Sequence, residues 1–575
     1  MRTCPSSIRR VALTRGGALG CALMFTLASH PVRASEPAVG SPQIRLVLQI
    51  TVDGLRGDLL NRYGSRFGEN GFRYLLSKGT VYTNAHHEHA NTETIVGHAT
   101  LSTGAHPSGH GLVGNVWYDR EAGELAYNIE DPESPLLPTR REALEGEQVD
   151  PAQKRSRTKG RSPRAMLAAT VGDTLAAFTA GRARVFGVGG KDRSAVSMAG
   201  HVGKAFWFST DTGDFVTSRY YYDTYPGWVV GWNARRQAEG HSGQAWALLN
   251  DQGTYLLGGQ DDRPYEVDLK GYGRTFPHPF GDAGNPLFPT KVLVSPVGDR
   301  LTADFAKALV RAEGVGQDAV PDYLSISFSG LDAVNHFFGP SSLENEDVVL
   351  QLDGTLADLL GFVDETVGLD HTLLVLSADH GMAEMPEYMT ELGFEVGRLS
   401  PDGIVETANA AAREAFGING VVRFFYRPYL YLDEGKIAAA RRERGEVEQA
   451  VARALAETEG VALAVPRSGP GPLEDTAALQ RVRRNFHPSR SGDIYVAQEP
   501  YWFLFDKGPV AVMHGSPWRY DTHVPVVFVG PGVAARRVHR PVSTVDVAPT
   551  LAAILGMSPP SSAEGSPLSE VLWQD

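Results

Sequence analysis

Residues 44–52 read IRLVLQITV, 183–189 ARVFGVG, 323–328 YLSISF, 372–377 TLLVLS and 523–530 HVPVVFVG. These five runs decide the fold. Each is short, rich in Val, Ile and Leu, and lacks polar alternation, the pattern of strands covered on both faces. Helical stretches lie between them: SPRAMLAATVGDTLAAFTAG (162–181), TADFAKALVRAEG (302–314) and ENEDVVLQLDGTLADLLGFVDETVG (344–368). Strand and helix in alternation predict an α/β protein with a large, mostly parallel central sheet and helices on both faces. Residues 386–505 break the rhythm. They hold RPYLYLD (427–433), a charged helix from about Lys436 to Thr458, VALAVPR (461–467), the turn SGPGPLED (468–475) and DIYVAQEPYWFLF (493–505). This predicts a smaller inserted, cap-like lobe.

The chain start is of a different kind. Residues 1–34 carry five Arg and no acid, and an apolar stretch, GALGCALMFTLA, runs from Gly17 to Ala28. Val32 and Ala34 place small side chains before a cleavage point after about Ala34. This reads as a secretory signal, too short in its apolar part to span a membrane, and it predicts a periplasmic or secreted protein whose catalytic domain is 35–575. Arg9-Arg10 leaves a twin-arginine route open and Cys21 a lipoprotein anchor. Both cysteines, Cys4 and Cys21, fall in this segment, so the mature chain is expected to have no disulfide and no thiolate chemistry. With 54 basic against 67 acidic residues the net charge is −13, which argues against nucleic acid as main partner. The stretch GEQVDPAQKRSRTKGRSPR (146–164) is basic and polar and reads as an exposed, solvated loop.

Ligands of open α/β sheets gather beyond the carboxyl ends of the strands. The first run reaches Asp53, the second leads to Lys191 and Arg193, the third to Asp332 and His336, and the fourth to Asp379 and His380. The fifth is preceded by His514. One Asp after a strand is ordinarily a cap. Asp or His at four of five runs goes beyond capping, and three Asp with three His suit a divalent cation. Without sulfur, Zn²⁺ on mixed N/O ligands comes first, ahead of Mg²⁺, Mn²⁺ and Ca²⁺. Asp332 and His336, four apart, can aim at one ion across a helical turn. Asp379 and His380 are adjacent, and their spacing leaves open whether they serve one ion or two. In NTETIVGHATLSTG, Thr94 to Thr103 can start a helix, where a hydroxyl faces free N–H groups. Taken alone, the segment reads as an N-cap. His523 competes with His514, and the run His86-His87-Glu88-His89 reads as a polar surface loop.

The ordered set VDGLRGD, TIVGHATLSTG, HGLVGNVWYD, GKDR, FSGLDAVNHFFGP, ADHGM and HGSPWRYDTHVP resembles the alkaline phosphatase superfamily, more narrowly its phosphate-irrepressible, PafA-like branch. The resemblance spans residues 48 to about 532. It implies a phosphate monoester hydrolase with two zinc ions per chain and a phosphothreonine intermediate. It implies Thr94 as nucleophile, with Asn115, 21 residues on, as a phosphate-oxygen ligand. Asp53, Thr94, Asp379 and His380 match the ligands of one Zn²⁺, and Asp332, His336 and His514 those of the other. Lys191 and Arg193 match the Lys-x-Arg pair of the PafA-like branch and would favour a monoester dianion, with i, i+2 spacing on an extended chain putting both on one side. Gly190 stands where close relatives carry Ser or Leu. The alternative on the same fold is a phosphodiesterase or nucleotide pyrophosphatase, against which Lys191 and Arg193 count. A sulfatase lacks its Cys/Ser-x-Pro-x-Arg motif here, and a catalytically dead phosphate-binding protein would be expected to have lost a ligand or the Thr. The expected partners are small phosphate monoesters.

Overall fold

In the strand Leu46–Val52 every residue is buried, and the side chains divide by the period of two that a strand imposes. Leu46, Leu48, Ile50 and Val52 join Leu324, Ile326 and Phe328 in one apolar core, while Val47 packs with Tyr323 and Val375 on the other face. The first core is closed by the helices Pro296–Glu313 and Leu343–Thr366, the second by Val171–Phe178 and Val547–Ile554. The computed structural model describes residues 43–139, 148–469, 476–505 and 510–572; the segment 1–34 expected to be a signal and most of the turn expected at 468–475 lie outside the described residues.

The main sheet has ten strands. At its centre Thr372–Ser377, Leu46–Val52, Asp322–Phe328, Val185–Gly189 and Lys204–Phe208 run parallel. The strand His523–Val529 departs from that direction. It runs antiparallel to Thr372–Ser377 and to Thr80–His86, so the sheet is mixed. The reversal explains an oddity of the sequence: four runs are followed by polar residues, but the fifth is preceded by them. Its start lies at the edge where the parallel strands end.

Several elements differ from expectation for local reasons. The helix expected over 162–181 begins only at Val171, because Thr170 and Asp173 form a reciprocal capping box that fixes the start. The single helix expected from Lys436 to Thr458 is two, Glu434–Ala439 and Arg444–Ala456, broken where Arg441 takes a positive φ of 54°. A second sheet of four strands, Val422–Tyr426, Tyr429–Leu432, Ile494–Gln498 and Val461–Pro466, carries those helices on its own core. The basic loop is not simply solvated. Arg161 is buried and ion-paired to Asp192 at 2.7 Å, and Asp150 pairs with Arg193. Nor do the histidines at 86–89 form a surface loop. His86, His87 and His89 are buried at the end of the strand Thr80–His86, with His87 bonded to the Ala378 carbonyl and the Thr544 hydroxyl.

The helix Thr94–Thr103 is buried on every side and ends on Gly104, whose left-handed φ of 70° suits glycine. It lies so close to the turn after Thr372–Ser377 that a Cβ at Gly97 would come within 1.9 Å of the Asp379 carbonyl oxygen. Alanine in an open helix gains about 1 kcal/mol over glycine. Here backbone stands in the way, and overpacking of about 1–3 kcal/mol outweighs that gain. Gly97→Ala is therefore expected to lower the melting temperature; a rise would show that the helix can move away from Asp379.

Candidate active site

Asp53 follows its strand directly, Asp332 sits in the first turn of the helix Gly330–Phe338, and Asp379 stands two residues beyond Ser377. All three carboxylates are fully buried at one edge of the sheet. Their oxygens converge with imidazole nitrogens in two groups: Asp53 with Asp379 and His380, and Asp332 with His380 and His514. Asp379 and His380 thus turn toward the same place despite their adjacency. The His380 Nε2 lies 3.3 Å from both Asp53 Oδ1 and Asp379 Oδ2, and the His336 Nε2 lies 3.3 Å from Asp332 Oδ2. His514 Nε2 is 3.6 Å from Asp332 Oδ1, with its ring stacked on His380 at 3.4 Å. His523 is elsewhere, bonded to the Thr83 carbonyl and stacked on His86.

One feature unites the three imidazoles. His336 Nδ1 meets the Val512 carbonyl at 2.9 Å, His380 Nδ1 the Gly381 carbonyl at 2.8 Å, and His514 Nδ1 the Thr92 carbonyl at 2.8 Å. A carbonyl only accepts, so each Nδ1 carries a proton, and Nε2 is the nitrogen that faces the carboxylates and holds the lone pair in the neutral ring. That is the orientation a metal-binding histidine needs. Thr94 Oγ1, Asp332 Oδ1 and His380 Nε2 are buried without a well-formed hydrogen bond. Buried polar atoms are normally satisfied, and the unpaired atoms of Asp332 and His380, two members of one converging group, fit a cation. The donor set, carboxylate and imidazole without sulfur, fits zinc.

Charge sets the rest of the geometry. Lys191 lies against Asp53 at 2.8 Å and also against Asp332, joining the two groups. Burial pushes the Asp53 carboxyl up, but the Lys191 ammonium overrides it and holds the pKa at about 2. Burial likewise disfavours charge on His380, and the Asp379 and Asp53 carboxylates hold it up to about 9. Three buried carboxylates against the Lys191 ammonium leave an excess of negative charge, which the His380 proton offsets only in part and which a bound cation would balance in its place.

Thr94 is the first residue of its helix. His98, one turn on, joins it to the site: its Nδ1 is 2.9 Å from the Thr94 carbonyl and 3.1 Å from Asp379 Oδ2, and its Nε2 is 3.0 Å from the Ser327 hydroxyl. His98 was readable as an i, i+4 neighbour of Thr94. Asn115 accepts a hydrogen bond from the Ile95 N–H at 3.2 Å, so its amide NH₂ is the part left for the cavity it lines. Lys191 has extended backbone, but Arg193 does not continue it. The helix Asp192–Ala199 starts between them, and Arg193 pairs with Asp150 at 2.6 Å. Gly190 has a packing reason, since a Cβ there would come within 2.9 Å of Ser329. Asp150, inside a basic loop, had no sequence signal. Glu93, read only as part of a Thr-rich segment, lines the same cavity, as does Arg427 from the second sheet. The cavity measures about 450 Å³, and Trp207, Phe208, Phe337 and Tyr426 contribute apolar walls.

Comparison with known proteins agrees with this geometry. The family pattern described as Type I phosphodiesterase / nucleotide pyrophosphatase matches residues 47–517. A protein of Myroides odoratus named Calcium-transporting ATPase is 32% identical over 535 residues, 92% of this chain and 95% of its own. Alkaline phosphatase PafA of Elizabethkingia meningoseptica is 32% identical over 543 residues, with the same coverage of both chains. A crystal structure of wild-type alkaline phosphatase PafA superposes with a TM-score of 0.84 at 30% identity, covering 93% of this chain and all of the other. The chain belongs to the type I phosphodiesterase / nucleotide pyrophosphatase family of the alkaline phosphatase superfamily, in its PafA-like branch of phosphoric monoester hydrolases.

Proposed function

We propose that this phosphomonoesterase is an exported two-zinc enzyme that passes through a phosphothreonine on Thr94. The observation that carries the reading is the Thr94 hydroxyl, buried and unpartnered at a helix start whose backbone carbonyl His98 ties to Asp379, one of the three converging carboxylates. Asp53, Thr94, Asp379 and His380 would hold one ion, and Asp332, His336 and His514 the other. Bound zinc supplies Lewis acidity, which favours an ionised hydroxyl and stabilises charge on a departing oxygen. The chain does the rest. Thr94 Oγ forms the bond to phosphorus as the ester bond breaks, and water then releases phosphate from Thr94. Asn115 donates to a phosphoryl oxygen. Lys191 and Arg193 bring positive charge to the others, Arg193 oriented by Asp150 and Lys191 sharing its charge with Asp53 and Asp332. In the same proposal residues 1–34 direct export, 35–575 form the catalytic domain, and about 386–505 form a lobe inserted into it.

Thr94→Ala removes a hydroxyl and a methyl from a site that is not an apolar core. It is expected to abolish turnover and leave the fold intact, with a smaller fall in melting temperature than Asp332→Ala or His514→Ala gives, because the ion keeps three other ligands. Wild-type protein quenched in acid during turnover is expected to carry phosphate on Thr94, as mass spectrometry of its peptides can read. Phosphate on Thr92 or Thr100 instead would sink the assignment.

Metal and stability are linked, because an ion that binds the native state alone stabilises it. Chelation, Asp332→Ala and His514→Ala are each expected to lower the zinc content below two per chain and the melting temperature with it. His523→Ala is expected to leave the zinc content unchanged; a drop there with none in His514→Ala reverses the choice between the two histidines.

The double change Lys191→Ala/Arg193→Ala tests selection between substrates. Each charge-assisted contact is worth roughly 1.5–3 kcal/mol, or about one to two powers of ten in rate. An aryl monoester is expected to lose several powers of ten in kcat/KM and the matched methyl aryl diester far less. Zinc content must be read alongside, because Lys191 also lies against Asp53 and Asp332. Equal losses on both substrates would mean that the pair supports the metals or the fold.

A further inference from the structure

Glu93 is an unexpected neighbour for a phosphate site. It is the N-cap residue directly before Thr94, only 4% exposed, and its carboxylate lines the cavity that Asn115, Lys191 and His514 also line. A carboxylate there repels a phosphoryl dianion. Its contacts show what it does instead. Glu93 Oε2 accepts the backbone N–H of Asn115 and, at 3.4 Å, the side-chain amide of Asn91. A Cβ at Gly114 would stand 3.1 Å from Glu93 Oε2, so glycine leaves the carboxylate room to reach the backbone of Asn115.

The opposing charge comes from the second sheet. Arg427 lies between the strands Val422–Tyr426 and Tyr429–Leu432, and its side chain is only 7% exposed. Its Nη2 is 3.7 Å from Glu93 Oε1 and donates to the His514 carbonyl at 2.7 Å. The guanidinium rests on Gly515, where φ is +108° and a Cβ would come within 3.0 Å of both terminal nitrogens. Arg427 therefore touches the residue before the nucleophile and the backbone of a ligand-set histidine at once.

We propose that Glu93 and Arg427 are a positioning pair: Glu93 fixes the backbone of Asn115, while Arg427 cancels the Glu93 charge and holds the His514 carbonyl. The inference rests on the reading of Thr94 and Asn115 as phosphoryl contacts and adds to it. Affinity for phosphate then depends on a residue of the second sheet, outside every motif at the strand ends. A buried carboxylate deprived of its cation leaves uncompensated negative charge beside the phosphoryl group, and the dianion binds less well.

Inorganic phosphate is the probe, its inhibition constant measured against an aryl monoester on the zinc-loaded enzyme. Arg427→Met is expected to weaken phosphate binding about tenfold or more. Glu93→Gln keeps an acceptor for Asn115 and loses the charge, so binding is expected to be equal or tighter. In the double variant Glu93→Gln/Arg427→Met, binding is expected to return to within about threefold of wild type, a coupling that interacting residues give and independent ones do not. Additive losses in the double variant overturn the proposal. Where Arg427→Met does not fold, Arg427→Lys serves: the retained charge is expected to hold binding within about threefold, and a loss like that of Arg427→Met overturns the pair. Asn115→Ala separates this from the reading beneath it. A loss in Asn115→Ala with none in Arg427→Met overturns the pair alone, and no loss in either overturns the site reading.

Discussion

Three carboxylates without water are the constraint on which the structure turns. Asp53, Asp332 and Asp379 are fully buried, and burying carboxylates together is costly unless positive charge shares the site. Lys191 provides one charge and lies against two of the three. The imidazoles of His336, His380 and His514 are locked by backbone carbonyls into the tautomer that offers a lone pair inward. A protein that needed only stability would replace such a cluster with apolar side chains of like volume. Keeping it, and spending backbone carbonyls to orient it, is the mark of a site built around cations.

The fold delivers these groups from five separate segments, and the direction of each strand decides how. Parallel strands bring their following turns to one edge, so Asp53, Lys191, Asp332 and Asp379 arrive there from the ends of successive runs. The antiparallel strand His523–Val529 cannot do so with its end, and it delivers His514 through the loop before its start. The helix Thr94–Thr103 is pressed against the Asp379 turn with no room for a side chain at Gly97. Thr94 is placed by that contact and by His98, both matters of backbone packing.

Much of this was legible in the sequence because burial and chemistry leave separate marks. Apolar runs gave the central strands, and the polar residues at their ends gave the site. The direction of the fifth strand was not legible, since a run of Val and Phe reads the same both ways; the only hint was that His514 preceded it. The histidines at 86–89 misled because His is polar, yet the rings of His86 and His87 fill buried space once their nitrogens meet carbonyl and hydroxyl oxygens. Asp150 was invisible among basic residues, and its importance lies in the long-range pairing with Arg193. Glu93 and Arg427, 334 residues apart in the chain, meet only through the packing of the second sheet on the first.

That distance bears on what separates members of a family whose pattern spans phosphodiesterases and nucleotide pyrophosphatases as well as monoesterases. The edge of a parallel sheet, where ligands of many open α/β proteins gather, says little by itself about the substrate. On the proposed reading, selection rests on the charges around the cavity, and three of its cations each face an acid: Lys191 faces Asp53 and Asp332, Arg193 faces Asp150, and Arg427 faces Glu93. Each cation is held in place by an acid, which fixes geometry at the cost of charge. The field on a phosphoryl group is then a small difference between large opposed terms. Moving one acid or one base by a single contact changes that difference more than it changes the shape of the pocket. A fold of this kind can pass from one phosphate ester to another by altering loops such as 148–161 or the turn at Arg427, with the strand-end ligands untouched.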